Sequence, residues 1–183
     1  MPQRLEYPND ITGSTQDVKG SDGRMNVSAR ADSRSYYNSR DRGQTYSLVF
    51  NDDDVAANDF IVWWQNSSST LQLVISELEI STENTGVFKL HFVTGTATGG
   101  SALTPANLNA SSPNDAAANA RGNGALSVIA SSAEIEIIRL DALDHQSIDL
   151  KDRVRLGQND AIALEVDASA GGDVEGTIYG FYE

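Results

Sequence analysis

His91 and His145 are the only two histidines in the chain, and four aspartates crowd the stretch "NDDDVAAND" at 51–59. A hydrolytic triad needs a nucleophile, a base and oxyanion donors that converge in space. In "LDALDHQSIDL" (140–150), Asp144, His145 and Ser147 sit in one turn and do not converge in that way. His91 alternates with Lys89 in "GVFKLHFV" (86–93), so the spacing puts both on the outer face of a strand. Both histidines are therefore expected at the surface. Asp52, Asp53, Asp54 and Asp59 are hard oxygen donors of the kind calcium takes. Their spacing lacks the alternating acids and distant glutamate of a calcium loop, so an exposed acidic turn and no metal is the expectation, with a weak structural calcium as the alternative. "TGTATGGSALTPANLN" (94–109) has the glycines of a phosphate-cradling loop. Such a loop opens a helix and is usually closed by a lysine. Here no lysine follows, and Pro105 interrupts the run. No nucleotide, no other cofactor and no catalytic residue is expected, and the chain is read as a non-enzyme.

Larger features bound what these residues serve. The 183 residues are enough for one domain, or one domain with an arm. Without cysteine there is no disulfide framework and no thiolate site. "MPQRLEYPND" lacks the apolar core of a signal peptide, and no apolar run is long enough to span a membrane. Synthesis in the cytoplasm without an export signal is the expectation. The net charge of −13 is uneven. Residues 1–43 carry seven basic and six acidic residues, whereas 44–183 carry six and twenty. An acidic body of this kind is a poor partner for nucleic acid or anionic lipid. It suits solubility, or docking on a basic protein surface.

Residues 1–43 hold few large apolar groups, as in "VSARADSRSYYNSRDRG". Such a segment orders only when something holds it. Met25, Val27, Tyr36 and Tyr37 are spaced anchors, and the arginines are carboxylate forks. An extended arm over 1–43 is expected to order against its own body, a sister subunit or another protein. From 44 to 183 the pattern becomes period two. Strands are predicted at 44–50, 59–65, 70–80, 86–93, 124–130, 133–140, 146–150, 160–167 and 174–182. Parity changes inside "TLQLVISELEI" (70–80), which predicts a bulge near Ser76-Glu77. Residues 94–123 show no apolar periodicity and read as a long functional loop, with a short helical turn conceivable at 114–122. Trp63 and Trp64 fall on opposite strand faces. One is expected in the core and the other is open to a sugar or a partner. The sum is an all-β antiparallel sandwich, preferably a jelly roll.

Four stretches resemble one group of proteins. They are "DGRMNVSARADSRSYYNSRDRGQTYSLVF", "FKLHFVTGTATGGSALTPANLN", "LGQNDAIALEVD" and "VEGTIYGFYE". Together they are similar to small β-sandwich virion proteins of tailed bacteriophages. The resemblance runs from about Asp22 to the end, and it carries no catalytic residue. It implies a capsid decoration or cement protein on the outer surface of the head, bound to the major capsid protein and to itself as a homotrimer. On that reading Arg30, Arg34, Tyr36, Tyr37, Arg40 and Arg42 of the arm make capsid or inter-subunit contacts. Thr104, Pro105, Asn107 and Asn109 of the loop do the same. The alternative is a tail or fibre component, or a carbohydrate-binding module for the host surface.

Overall fold

The computed structural model describes residues 6–8, 15–17, 33–53, 55–127, 129–169 and 172–183. Arg30 and Asp54 lie outside the described residues. The chain forms two compact units, Met1–Asp32 and Ser33–Glu183. In the first, β1 (Glu6–Pro8) and β2 (Thr15–Asp17) pair antiparallel, Glu6 opposite Asp17. Residues 33–43, expected as part of an extended arm, belong to the second unit and are helical. They form α1 (Arg34–Tyr37) and a π-helical turn, Asn38–Arg42.

Eleven strands follow. They are β3 (Thr45–Asp52), β4 (Asp59–Asn66), β5 (Leu73–Thr82), β6 (Gly86–Thr94), β7 (Thr98–Leu103) and β8 (Ala106–Asn107). The rest are β9 (Ala118–Ser127), β10 (Ala130–Leu140), β11 (His145–Leu156), β12 (Ala161–Ser169) and β13 (Val174–Tyr182). One sheet has the order β10-β6-β12-β4-β9-β7, and the other β11-β5-β13-β3-β8. The two antiparallel sheets pack face to face as a sandwich.

Alternation along each strand explains the packing. In β3, Tyr46, Leu48 and Phe50 are buried while Val49 stays exposed. Leu73, Ile75, Leu78 and Ile80 of β5 meet Val62, Trp64, Phe88, Leu90, Ile162, Leu164 and Val166 of the facing sheet in one apolar cluster. Trp64 spans the gap, its ring within 3.3 Å of where a Cβ on Gly180 would stand. The parity change in β5 is a bulge. Glu77 stands opposite Tyr179 and Ile75 opposite Gly180, which leaves Ser76 over. The Ser76 hydroxyl donates to the Tyr179 carbonyl at 3.2 Å.

Three expectations are corrected. Residues 94–123 are not a structureless loop, because β7, β8 and the first part of β9 lie within them. Glycine hides this edge from a periodicity count and also makes it possible. A Cβ on Gly100, at φ +51°, would lie 2.5 Å from the Gly122 carbonyl across the β7–β9 pair. The helical turn at 114–122 is absent, since 112–117 is irregular and β9 starts at Ala118. The strand expected at 124–130 is split, with β9 ending at Ser127 and β10 starting at Ala130.

A fourth correction concerns tryptophan. Both indoles are buried, Trp63 to 1% exposure and Trp64 to 0%. Trp63 does point away from the main core. A second apolar cluster covers it, made with Val93, Ala97, Leu126, Ala161 and Ala163. No helix among the described residues is long and apolar enough to cross a membrane.

Candidate functional site

Arm and loop residues named from the sequence meet at one place. Ser33 caps α1, its hydroxyl accepting the Tyr36 amide at 3.1 Å. The following turn ends at Gly43, at φ +59°, and a Cβ there would stand 2.3 Å from the Ser112 hydroxyl. Glycine is thus required twice over at this position, for its backbone and for the approach of the loop. Asn38 is buried and donates to the Arg34 carbonyl at 3.1 Å. The Thr45 hydroxyl donates to the Ser35 carbonyl at 3.0 Å.

The loop closes on this turn through amide side chains. Asn109 Nδ2 donates to the Ser39 carbonyl at 2.8 Å. Asn107 Nδ2 donates to the Gly43 carbonyl at 2.8 Å, and Asn114 Nδ2 to the Arg42 carbonyl at 3.0 Å. Ser112 Oγ adds a bond to the Gly43 carbonyl at 3.0 Å. These bonds satisfy the carbonyls that a helix end leaves without partners. They turn a polar segment with one buried side chain into an ordered surface. Beneath it Tyr182 donates to the Ala117 carbonyl at 2.8 Å and meets Tyr46 edge-on at 5.7 Å. Burial, and then Tyr46, push the Tyr182 phenol far above its ordinary range.

The surface so held is basic and aromatic. The Arg40 guanidinium lies 5.3 Å from the Tyr36 ring centre, and that of Arg42 lies 5.7 Å from the Tyr37 ring. Arg40 also pairs with Asp41 at 2.7 Å, and this hydrogen bond lowers the Asp41 pKa. Arg34 faces Glu183 at 3.4 Å. Tyr36 and Leu108 are large exposed groups at the patch. Tyrosine and arginine are enriched at binding hot spots; Arg40 already holds Asp41, while Arg42 is held over the Tyr37 ring as a fork for a partner's carboxylate. Thr104 and Pro105 form the link between β7 and β8, exposed and half-buried respectively. They share the segment but make none of these closing bonds.

The remaining chemical candidates separate. Asp52 ends β3 and is largely buried. Burial raises its pKa, bonding to the Gly124 backbone opposes that, and Asp59 and Asp53 add repulsion. Among the described residues no three His, Asp or Glu side chains gather as a metal site. His145 is exposed at the start of β11, its amide bonded to the Asp144 carboxylate at 2.9 Å.

No protein-family model matches the chain, and neither does any curated protein or solved structure.

His91 departs from expectation. It does lie on the outer side of β6, in register with Ala163, but it is only 5% exposed. The Trp63 cluster lies on the same face, and the Phe60 ring meets the imidazole edge-on at 5.9 Å. Ser131 Oγ is 2.8 Å from its Nδ1, and Glu165 Oε2 is 2.7 Å from its Nε2. The sequence held no sign of this grouping, because the three residues come from β10, β6 and β12.

Proposed function

We infer that the chain is a virion structural protein of the capsid-decoration class, which docks on an assembled head through the Tyr/Arg patch on the arm–loop seam. The observation that carries this reading is the stacking of Arg40 on Tyr36 and Arg42 on Tyr37 over a turn locked by three asparagines. A preordered patch loses little entropy on binding. The partner is the major capsid protein, and a trimer would match a threefold position on the lattice. The sequence resemblance to phage virion proteins supports the same assignment.

The strand order supports it too. The chain visits the sheets as β3-β4, β5-β6, β10-β11, β12-β13, giving β11-β5-β13-β3 in one and β10-β6-β12-β4 in the other. We read this as a jelly roll, a fold frequent in capsid proteins, with β7, β8 and β9 added between the fourth and fifth of its strands. The glycan-binding alternative loses its main support, since neither tryptophan is open to stack on a sugar.

The test is sedimentation of the purified full chain with shells that lack it. Wild type is expected to pellet with shells. A variant with Tyr36→Ala, Tyr37→Ala, Arg40→Ala and Arg42→Ala should bind at least about 100-fold more weakly, as loss of hot-spot side chains implies. Undiminished binding by this variant, shown folded by circular dichroism, would remove the patch from the account. Failure of wild type to bind any shell would remove the decoration role.

A further inference from the structure

Three neighbouring strands of the six-stranded sheet bring Ser131, His91 and Glu165 together. Ser131, on the edge strand β10, is exposed, whereas the His91 side chain is 6% exposed and that of Glu165 19%. Ser131 Oγ lies 2.8 Å from Nδ1, and Glu165 Oε2 lies 2.7 Å from Nε2. The carboxylate is within ion-pair distance but off the N–H direction, so Nε2 has no aligned hydrogen bond. Such loose alignment is common in a catalytic group before substrate binds. Placing the hydrogen on Nε2, the nitrogen nearer the carboxylate, leaves Nδ1 to accept from the serine, a tautomer assigned from these neighbours. Lys89, two residues earlier in β6, is held by Asp167 at 2.7 Å and lies 3.8 Å from Glu134. Glu165 is left facing the imidazole.

We propose that Ser131 is the nucleophile of an acyl-transfer site, with His91 as its base and Glu165 as the positioning residue, acting on small acyl esters such as acetyl esters. An exposed hydroxyl touching a buried imidazole, itself beside a carboxylate, is the arrangement that activates serine. The Ser131 oxygen bonds to the ester carbonyl carbon as its proton passes to His91 Nδ1. Collapse breaks the bond to the alcohol oxygen, which departs with that proton. Water then attacks the acyl group on Ser131, giving its proton to His91. The carboxylic acid leaves, and the proton returns to the serine oxygen.

Among the described residues β10 pairs with a strand on one side only, so amides on its free side would supply the donors a developing oxyanion needs. The chain bulges at Ser132, immediately after the nucleophile. Ser131 stands opposite Val93, a member of the apolar cluster, with the half-buried Ile129 close in sequence. No enclosed cavity lies over Ser131 among the described residues, so the open edge admits a small acyl group or one carried on a larger molecule. The site is separate from the docking reading, because acylation is read from the mass of Ser131 and docking from sedimentation.

The test treats the full chain with a fluorophosphonate probe and locates the label by peptide mass spectrometry, with p-nitrophenyl acetate hydrolysis followed in parallel. Label on Ser131 is expected. Ser131→Ala and His91→Gln should lose both label and turnover by about 100-fold or more. Glu165→Gln should lower kcat with little change in KM and an unchanged melting temperature. Ser132→Ala, whose hydroxyl instead bonds the Phe92 carbonyl at 3.0 Å, should label as wild type does. His91 is buried, so its replacement could unfold the chain. Ser131→Ala, at an exposed position, keeps the test decisive. Wild type left unlabelled, or hydrolysis equal in wild type and Ser131→Ala, would overturn the proposal and leave Ser131 a structural partner of His91.

Discussion

Replacing Trp64 with alanine is expected to destabilise the sandwich by about 3–5 kcal/mol, the largest loss for any single side chain considered. Trp64 is 0% exposed and reaches from β4 across to β13. The gap left by its indole would border Leu73 and Gly180, both on the opposite sheet. Neither can move in without parting from its own strand neighbours. The indole N–H is also buried without a hydrogen-bond partner, so part of the ring's favourable burial is offset already. Trp64→Phe removes that N–H while keeping an aromatic ring, and is expected to cost only about 1–2 kcal/mol. Urea unfolding followed by circular dichroism measures both, with an unchanged m-value showing that the unfolded state is not the cause. For a chain of this length the alanine variant should melt on the order of 10 °C lower. Equal losses for the two variants would mean that the ring is not what bridges the sheets.

The combined variant Asn107→Ala, Asn109→Ala and Asn114→Ala is expected to release the helical turn while leaving the sandwich folded. Each asparagine donates to a carbonyl of the turn, at Gly43, Ser39 and Arg42 respectively. A net contribution of about 0.5–1.5 kcal/mol per bond gives roughly 2–4 kcal/mol for the set. That is enough to open the turn locally, because it buries only Asn38 and Gly43. Hydrogen exchange should report it at two amides, Tyr37 bonded to the Ser33 carbonyl and Gln44 bonded to the Asn38 carbonyl. Exchange there should quicken on the order of 100-fold, with core amides of β5 and β13 unchanged. Shell binding should weaken with it, since Tyr36, Tyr37, Arg40 and Arg42 would no longer be held. Unchanged exchange at Tyr37 and Gln44 would show that the asparagines do not order the turn.

The fold was largely legible because its central strands obey one simple rule. Tyr46, Leu48 and Phe50 alternate with polar or exposed neighbours, and the same period two places Phe88 and Leu90, and Ile162, Leu164 and Val166, in the main core. Even the bulge at Ser76 left a mark, since it reverses parity within one strand. The edge was not legible. β7 has almost nothing to bury, and its glycines serve backbone approach rather than side-chain packing. The helical turn was missed for a related reason. It lacks an apolar stripe and is held by side chains about 70 residues away in sequence. Its ends were marked all the same, by a capping serine at Ser33 and a terminating glycine at Gly43.

Several residues expected to make capsid or inter-subunit contacts lie together in the structure. Tyr36, Tyr37, Arg40, Arg42, Asn107 and Asn109 all meet at the seam. Their types signal contact chemistry whatever their secondary structure. His91 failed because outward parity was equated with solvent. A second apolar layer around Trp63 lies on that face, and parity within one strand says nothing about what other segments cover it. The serine and glutamate beside His91 lie 40 and 74 residues further along the chain, beyond the reach of any local pattern.

The central claim is that this chain is an abundant outer component of an assembled shell. Quantitative mass spectrometry of purified particles from its source tests it most directly, as copies of this chain per copy of the major capsid protein. Decoration predicts a ratio between one to one and one to a few, fixed by the lattice positions occupied. A handful of copies per particle, or none, would contradict it.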